Sequence, residues 1–295
     1  MRYRSAVILS SKYLVLLLIT LIACTKDIGP EDLDPEPTIK DKIGGYVQKG
    51  PFINGTAVVI SELDSSLNPT GRNFNTQIVD NKGTFEIRDI ELFSNYVELR
   101  TDGFYFNEIE GQKSAAQLTL FALADVSNQS SINVNILTHL EKSRVVYLIG
   151  DGLSFSDAKA QAQSEVLNIF GVDGTGIDNS ETLDISQPGE ENALLMAISV
   201  ILQGNRTVAD LTEIMANIST DIREDGILNS KSTFDSLYEQ AYSLNLQEIR
   251  TNITNRYESI GVNASIGNFE NYIIDFLNPF EITHESTPAS CNGES

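Results

Sequence analysis

The residues that could do chemistry in this chain are few. There are two histidines, His139 and His284, and two cysteines, Cys24 and Cys291, among 295 residues. With Cys24 and Cys291 the only cysteines and His139 and His284 the only histidines, metal sites built on cysteine and most zinc sites are excluded. No G-x-S-x-G, P-loop, H-E-x-x-H or C-x-x-C pattern occurs. His139 is the best general base by residue type, but no nucleophile is adjacent to it in sequence, so no catalytic residue is assigned. Asp221, Asp225, Gly226 and Asn229 have the spacing of a calcium loop, yet Arg223 stands at a ligand position and Ser232 where a bidentate glutamate is needed. The favoured reading is a helix C-terminus ended by Asp-Gly. No metal or other cofactor is assigned, and Asp221, Asp225 and Asn229 are the residues a cation would take. The stretch from Asp173 to Glu181 is a second oxygen-rich run, read as a solvated connection because Gly, Asp and Asn also serve turns. For stacking on a sugar the candidate is Tyr105. In one strand Phe104 and Phe106 would face the core and Tyr105 the other side, half-exposed.

The start of the chain carries the sharpest signal. Arg2, Arg4 and Lys12 precede an apolar run from Leu14 to Ala23. That run fits a signal-peptide core and falls short of the about 20 apolar residues a membrane span needs. It ends in Leu21-Ile22-Ala23-Cys24, which resembles the bacterial lipobox, where the cysteine is acylated and becomes the N-terminus. The resemblance implies a signal peptide over 1–23, lipidation at Cys24 and a membrane partner reached through that lipid. One acyl chain holds weakly, and the resemblance implies more than one. With Cys24 consumed, Cys291 has no partner for an intrachain disulfide.

Charge narrows the partners. The chain has 20 Lys+Arg against 41 Asp+Glu. Residues 1–23 hold three of the bases and none of the acids, so the remainder carries 17 against 41, a net charge of −24. Such a surface repels nucleic acid, which needs clustered Lys and Arg. A glycan or protein partner stays open.

The elements that must position these residues read in two parts. Residues 24–43 are acidic and rich in proline and are expected to be an extended tether. Lys26-Asp27 also resembles the surface-export signal of some Gram-negative lipoproteins. Residues 44–135 read as β: Thr56 to Ile60, Phe74 to Val79, Thr84 to Ile87, Tyr96 to Leu99, Gly103 to Phe106, Leu118 to Leu123 and Ile132 to Val134. Asp64 to Gly71 reads as turn, and Asp80-Asn81-Lys82-Gly83 as a hairpin signal. Residues 136–280 read as α. Thr138-His139-Leu140-Glu141 resembles a capping box, and Ser154, Thr207, Ser232 and Asn245 open further helices. Ala193 to Leu202 is apolar all round save Ser199, as a central buried helix would be. The last stripe runs from Phe269 to Leu277. Residues 281–295 read as a disordered tail. No linker separates the parts, so Leu137 and Leu140 are expected to pack the first helix against the β part.

Gly45-Tyr46-Val47, Gly55-Thr56-Ala57-Val58 and Asp80-Asn81-Lys82-Gly83-Thr84-Phe85-Glu86-Ile87 resemble the carboxypeptidase regulatory-like, or transthyretin-like, domain. The likeness covers about the first half of the β region, and the aromatic stretch 92–124 departs from it. It implies an antiparallel β-sandwich with Phe85 and Ile87 inside. The span from Lys49-Gly50-Pro51-Phe52 to Leu140-Glu141 resembles surface lipoproteins of Gram-negative bacteria, which implies a location and no activity. The expectation is an α+β protein of two domains, the sandwich followed by an all-α helical bundle. Its expected role is that of a lipid-anchored outer-membrane lipoprotein at the cell surface, with non-enzymatic adhesion, display or ligand capture. The alternatives are the periplasmic face for location, and for role a glycan-processing or other hydrolase with a carboxylate site, or an accessory subunit of an outer-membrane assembly.

Overall fold

The computed structural model describes residues 37–278. The expected signal peptide, Cys24, the first part of the expected tether, His284, Cys291 and the expected tail over 281–295 lie outside the described residues.

The described strands are β1 (Thr38–Gln48), β2 (Ala57–Leu63), β3 (Pro69–Gln77), β4 (Thr84–Leu92), β5 (Tyr96–Gly103), β6 (Phe106–Asn107), β7 (Gln112–Lys113), β8 (Leu118–Asp125) and β9 (Val134–Asn135). They form a four-stranded antiparallel sheet in the order β3-β2-β5-β8 and a three-stranded sheet in the order β4-β1-β9, with β6 and β7 paired alone. In the second sheet β1 is antiparallel to β4 and parallel to β9. Among the described residues seven α-helices follow: α1 (Ile136–Gly150), α2 (Phe155–Ile169), α3 (Glu190–Gln203), α4 (Val208–Asp221), α5 (Lys231–Tyr242), α6 (Leu246–Ser259) and α7 (Phe269–Leu277). The chain is α+β, with the strands first. Among the described residues no helix is long and apolar enough to cross a membrane.

Alternation explains the strands. Val58 and Ile60 of β2, Val97 and Leu99 of β5, and Leu118, Leu120 and Ala122 of β8 are buried at period two. From the other sheet come Ile43 and Val47 of β1 and Phe85 of β4, with Ile87 half-buried against the same core. That core continues without a break into Leu137 and Leu140 of α1 and the apolar residues of α3. Each such Leu or Ile contributes about 1.5–3 kcal/mol by leaving water. A smaller cluster joins Leu63 and Leu123 to Val145, Leu148, Ala158 and Ala162, where α1 and α2 meet the ends of β2 and β8.

Several expectations are corrected. Residues 38–43, expected in the tether, are strand: Thr38 to Ile43 pair along β4 from Leu92 to Ile87. The run expected as turn from Asp64 to Gly71 ends early, because Pro69 already opens β3 opposite Leu63. The turn at Asp80 forms, with Asp80 Oδ1 accepting from the N–H groups of Lys82 and Thr84 and Gly83 at φ 86°. Its flanking strands do not pair with each other, however. β3 pairs with β2 and β4 with β1, so the turn carries the chain from one sheet to the other. The capping box of α1 uses Asn135 as its first member: Asn135 Oδ1 accepts from the Thr138 N–H, and Thr138 Oγ1 from the Asn135 N–H. Ser230, not Ser232, caps α5.

The β and α parts are stitched together by polar groups as well. Gly45 admits no side chain, since a Cβ there would lie 2.0 Å from the Ile132 carbonyl oxygen. That closeness lets the Tyr46 N–H donate to Asn133 Oδ1 at 2.8 Å. Asn133 in turn donates to the Leu183 carbonyl at 2.9 Å and Asn135 to the Ser180 carbonyl at 2.7 Å. The connection after α2 is thereby pinned under β9.

Candidate functional site

Four buried or half-buried ionisable or polar groupings come from these elements. The first lies between the β part and α3. Lys49, just after β1, donates to the Glu108 carboxylate that follows β6, and both side chains are fully buried. Ser199 of α3 donates to the Lys49 carbonyl at 2.6 Å, which satisfies the one polar side chain in the middle of that helix. Burial pushes the Lys49 ammonium below its ordinary pKa, and Glu108 beside it only partly restores it.

Tyr105 belongs to the same interior. It was expected half-exposed and free for a sugar, and it is fully buried. The strand β5 stops at Gly103, where a Cβ would meet Thr56 Oγ1 at 2.0 Å, so the alternation does not carry on through 104–106. Phe104 is half-buried instead of core. The Tyr105 hydroxyl donates to Gln203 Oε1 at 2.8 Å, and its pKa is raised, by burial first and then by Glu108 and Glu110. A phenol so placed holds α3 to the β part and is closed to a ligand.

The third grouping is a cation between two acids. Lys159 of α2 lies 2.7 Å from Glu141 Oε2 of α1 and 3.0 Å from Glu181 Oε2, in the short 3-10 turn Ser180–Thr182. The Ser180 hydroxyl donates to the other Glu141 oxygen. Burial pulls the Lys159 pKa down, but the two carboxylates outweigh it and raise it, so the lysine stays charged and is no nucleophile. Burial raises Glu141, against Lys159 and Ser180. Glu181 Oε2 accepts no aligned hydrogen bond although it is buried. The end of the 173–181 run is thus interior, not solvated. Up to Asn179 the run is exposed or half-exposed as expected, opening on a turn in which Asp173 Oδ1 accepts from the Thr175 N–H.

Lys159 and Glu181 reach the edge of a cleft of about 460 Å³. Tyr96 at the start of β5, the 125–129 turn after β8, Ser154 to Ser156 at the head of α2, and Asn179 complete it. The Tyr96 and Phe155 rings stand 5.1 Å apart, tilted by 39°. Glu141 does not line the cleft.

Compared with protein-family models, curated proteins and solved structures, the chain matches none.

The calcium candidates are spent on local structure. Asp225 Oδ1 accepts from the Ile227 N–H at 3.0 Å and its Oδ2 from Asn229 Nδ2 at 3.0 Å. Asp221 Oδ2 accepts from the Ser230 N–H at 2.8 Å, at the start of α5. The fourth grouping is His139, half-buried on α1 beside the Phe121 ring, 5.8 Å away, with Nδ1 buried and unpartnered. No hydroxyl or thiol is bonded to it, so geometry adds nothing to its case as a base.

Lys49, Glu108, Lys159 and Glu181 were not singled out from sequence. Lys159 had a faint signal, since it lies beside Ala158 and Ala162 on the buried stripe of α2. Lys49 and Glu108 had none.

Proposed function

We propose that this chain is a lipid-anchored lipoprotein of the outer membrane, displayed at the cell surface, whose folded part captures a ligand without transforming it. The observation that carries the reading is Leu21-Ile22-Ala23-Cys24 at the end of a short apolar run behind three basic residues. Lys26-Asp27 and the acidic segment after it support surface display over the periplasmic face. The finer architecture we propose is a carboxypeptidase regulatory-like β-sandwich over 44–135 followed by a helical bundle over 136–280. Two sheets that share one core through Ile43, Phe85, Val58 and Leu99 support the first part.

Capture without chemistry is supported by how the ionisable groups are spent. A glycosidase needs two carboxylates reaching one substrate bond. Here Glu141 and Glu181 hold the same lysine, and only Glu181 lines the cleft. An accessory role in an outer-membrane assembly would require a partner surface, and the cleft argues for a small ligand instead.

The test is metabolic labelling of cells with an alkyne palmitate, comparing the chain with its Cys24→Ala variant. Label that disappears in the variant is the expected result. Equal labelling sinks the anchor. Protease cleavage of intact cells then separates surface from periplasmic display.

A further inference from the structure

We propose that the cleft between Tyr96, the 125–129 turn and the head of α2 binds a neutral, hydroxyl-rich ligand of the glycan class. This deepens the capture reading and rests on it.

The volume, about 460 Å³, is in the range of small-molecule sites, about 300–1,000 Å³. Its apolar element is an aromatic pair. Tyr96 and Phe155 come from the β part and from α2, with ring centroids 5.1 Å apart and planes tilted by 39°. An aromatic wall of this kind takes the C–H face of a pyranose while the ring hydroxyls point elsewhere. Around it stand Asn128, Gln129 and Asn179, amides that both donate and accept, as a sugar hydroxyl does. Gln129 Nε2 is held by the Asp125 carbonyl at 3.0 Å, which orients its amide at the rim.

Glu181 decides the class. It is 3% exposed and lines the cleft, and its Oε2 accepts no aligned hydrogen bond. That oxygen faces the Lys159 ammonium at 3.0 Å, and a carboxylate has about four acceptor sites, so Glu181 can still take a group that donates. An anion cannot supply a donor and would meet Asp125 and Glu181. A second cation would meet the Lys159 ammonium, 3.0 Å from the same oxygen. A hydroxyl does neither. Hydroxyls bonded to a carboxylate, with a ring face on an aromatic, are the contacts of a neutral sugar.

The experiment uses the full chain in a detergent without a sugar head group. Cellotriose, maltotriose, mannotriose and chitotriose are titrated by calorimetry and by saturation-transfer NMR. At least one binds with Kd below about 1 mM. Phe155→Ala and Glu181→Gln each weaken it about tenfold, the loss of one stacking face or one charge-assisted hydrogen bond. Asn128→Ala, at an exposed position that leaves the core intact, weakens it about threefold. Spermidine is the contrasting probe. If no saccharide binds at about 10 mM while spermidine binds and Phe155→Ala abolishes it, the glycan class is wrong and capture stands. If neither binds, both fall. Saccharide binding untouched by Phe155→Ala and Asn128→Ala puts the sugar elsewhere and overturns the site.

Discussion

Lys49 donates to Glu108 within the β part, where it meets α3, with neither side chain reaching solvent. The Tyr105 ring centroid lies 5.4 Å from the same ammonium. A buried pair of this kind stabilises little against an apolar pair of the same shape, but breaking it leaves one bare charge inside. Glu108→Ala is therefore expected to cost about 3–5 kcal/mol in denaturant unfolding. Lys49→Met with Glu108→Leu is expected to recover most of that loss. Were Glu108→Ala to cost under about 1 kcal/mol, the pair would be reached by water.

His139 makes a prediction about acid. Burial first, and Lys142 second, push its pKa down to about 4 from 6.5. Above pH 6.5 the ring is neutral in both folded and unfolded chains and contributes nothing to the balance. Between 6.5 and about 4 the unfolded chain binds a proton that the folded one refuses, so stability falls with pH, by up to about 3 kcal/mol. Melting curves from pH 7 to pH 4.5 should drop more steeply for the natural chain than for His139→Gln. Parallel curves would mean that the ring is solvated and titrates normally.

Local chemistry was legible from the residues, and long-range choice was not. The helices announced themselves because Ser154, Thr207 and Asn245 each combine a cap with an apolar stripe behind it, and all three cap in the structure. Ala193 to Leu202 could only be interior. The turn at Asp80 was equally visible, since Asp and Gly carry its geometry themselves. Which strands it joins depends instead on β1 and β2, dozens of residues away in the chain. Tyr105 was misjudged because alternation assumes a continuous strand, and Gly103 ends it where Thr56 crowds the backbone. The buried pairs were invisible for a different reason. A Lys or Glu in isolation reads as surface, and only its partner, from another element, makes burial tolerable.

Calcium is expected to find no tight site at Asp221. The oxygens of Asp225 are taken by Ile227 and Asn229, and Asp221 accepts from Ser230. Arg223 brings a cation to the same turn. The Ile227 N–H, and then Asn229, hold the Asp225 carboxyl below its usual pKa, which reflects hydrogen bonds already made. Calorimetric titration with calcium should give no saturable heat in the micromolar range. A micromolar affinity that Asp225→Ala removes would overturn this reading.

The last prediction tests how α1 is held. Leu140 is fully buried and belongs to the same core as Val58, Leu99 and Leu120 of the four-stranded sheet. Nearby, Thr138 Oγ1 donates to the Phe121 carbonyl of β8 at 2.9 Å, so the first turn of α1 is bonded to the sheet as well as packed on it. Leu140→Asp places a carboxylate in that apolar core, and the loss is expected to be several kcal/mol. Val146 on the same helix is 43% exposed, and Val146→Asp should change stability by only a few tenths of a kcal/mol. The contrast separates loss of packing from a general effect of adding charge to α1. Limited proteolysis should find Leu140→Asp newly cut within 136–150 while Val146→Asp resists like the natural chain. If both variants melt together with the natural chain, α1 is not docked on the sheet.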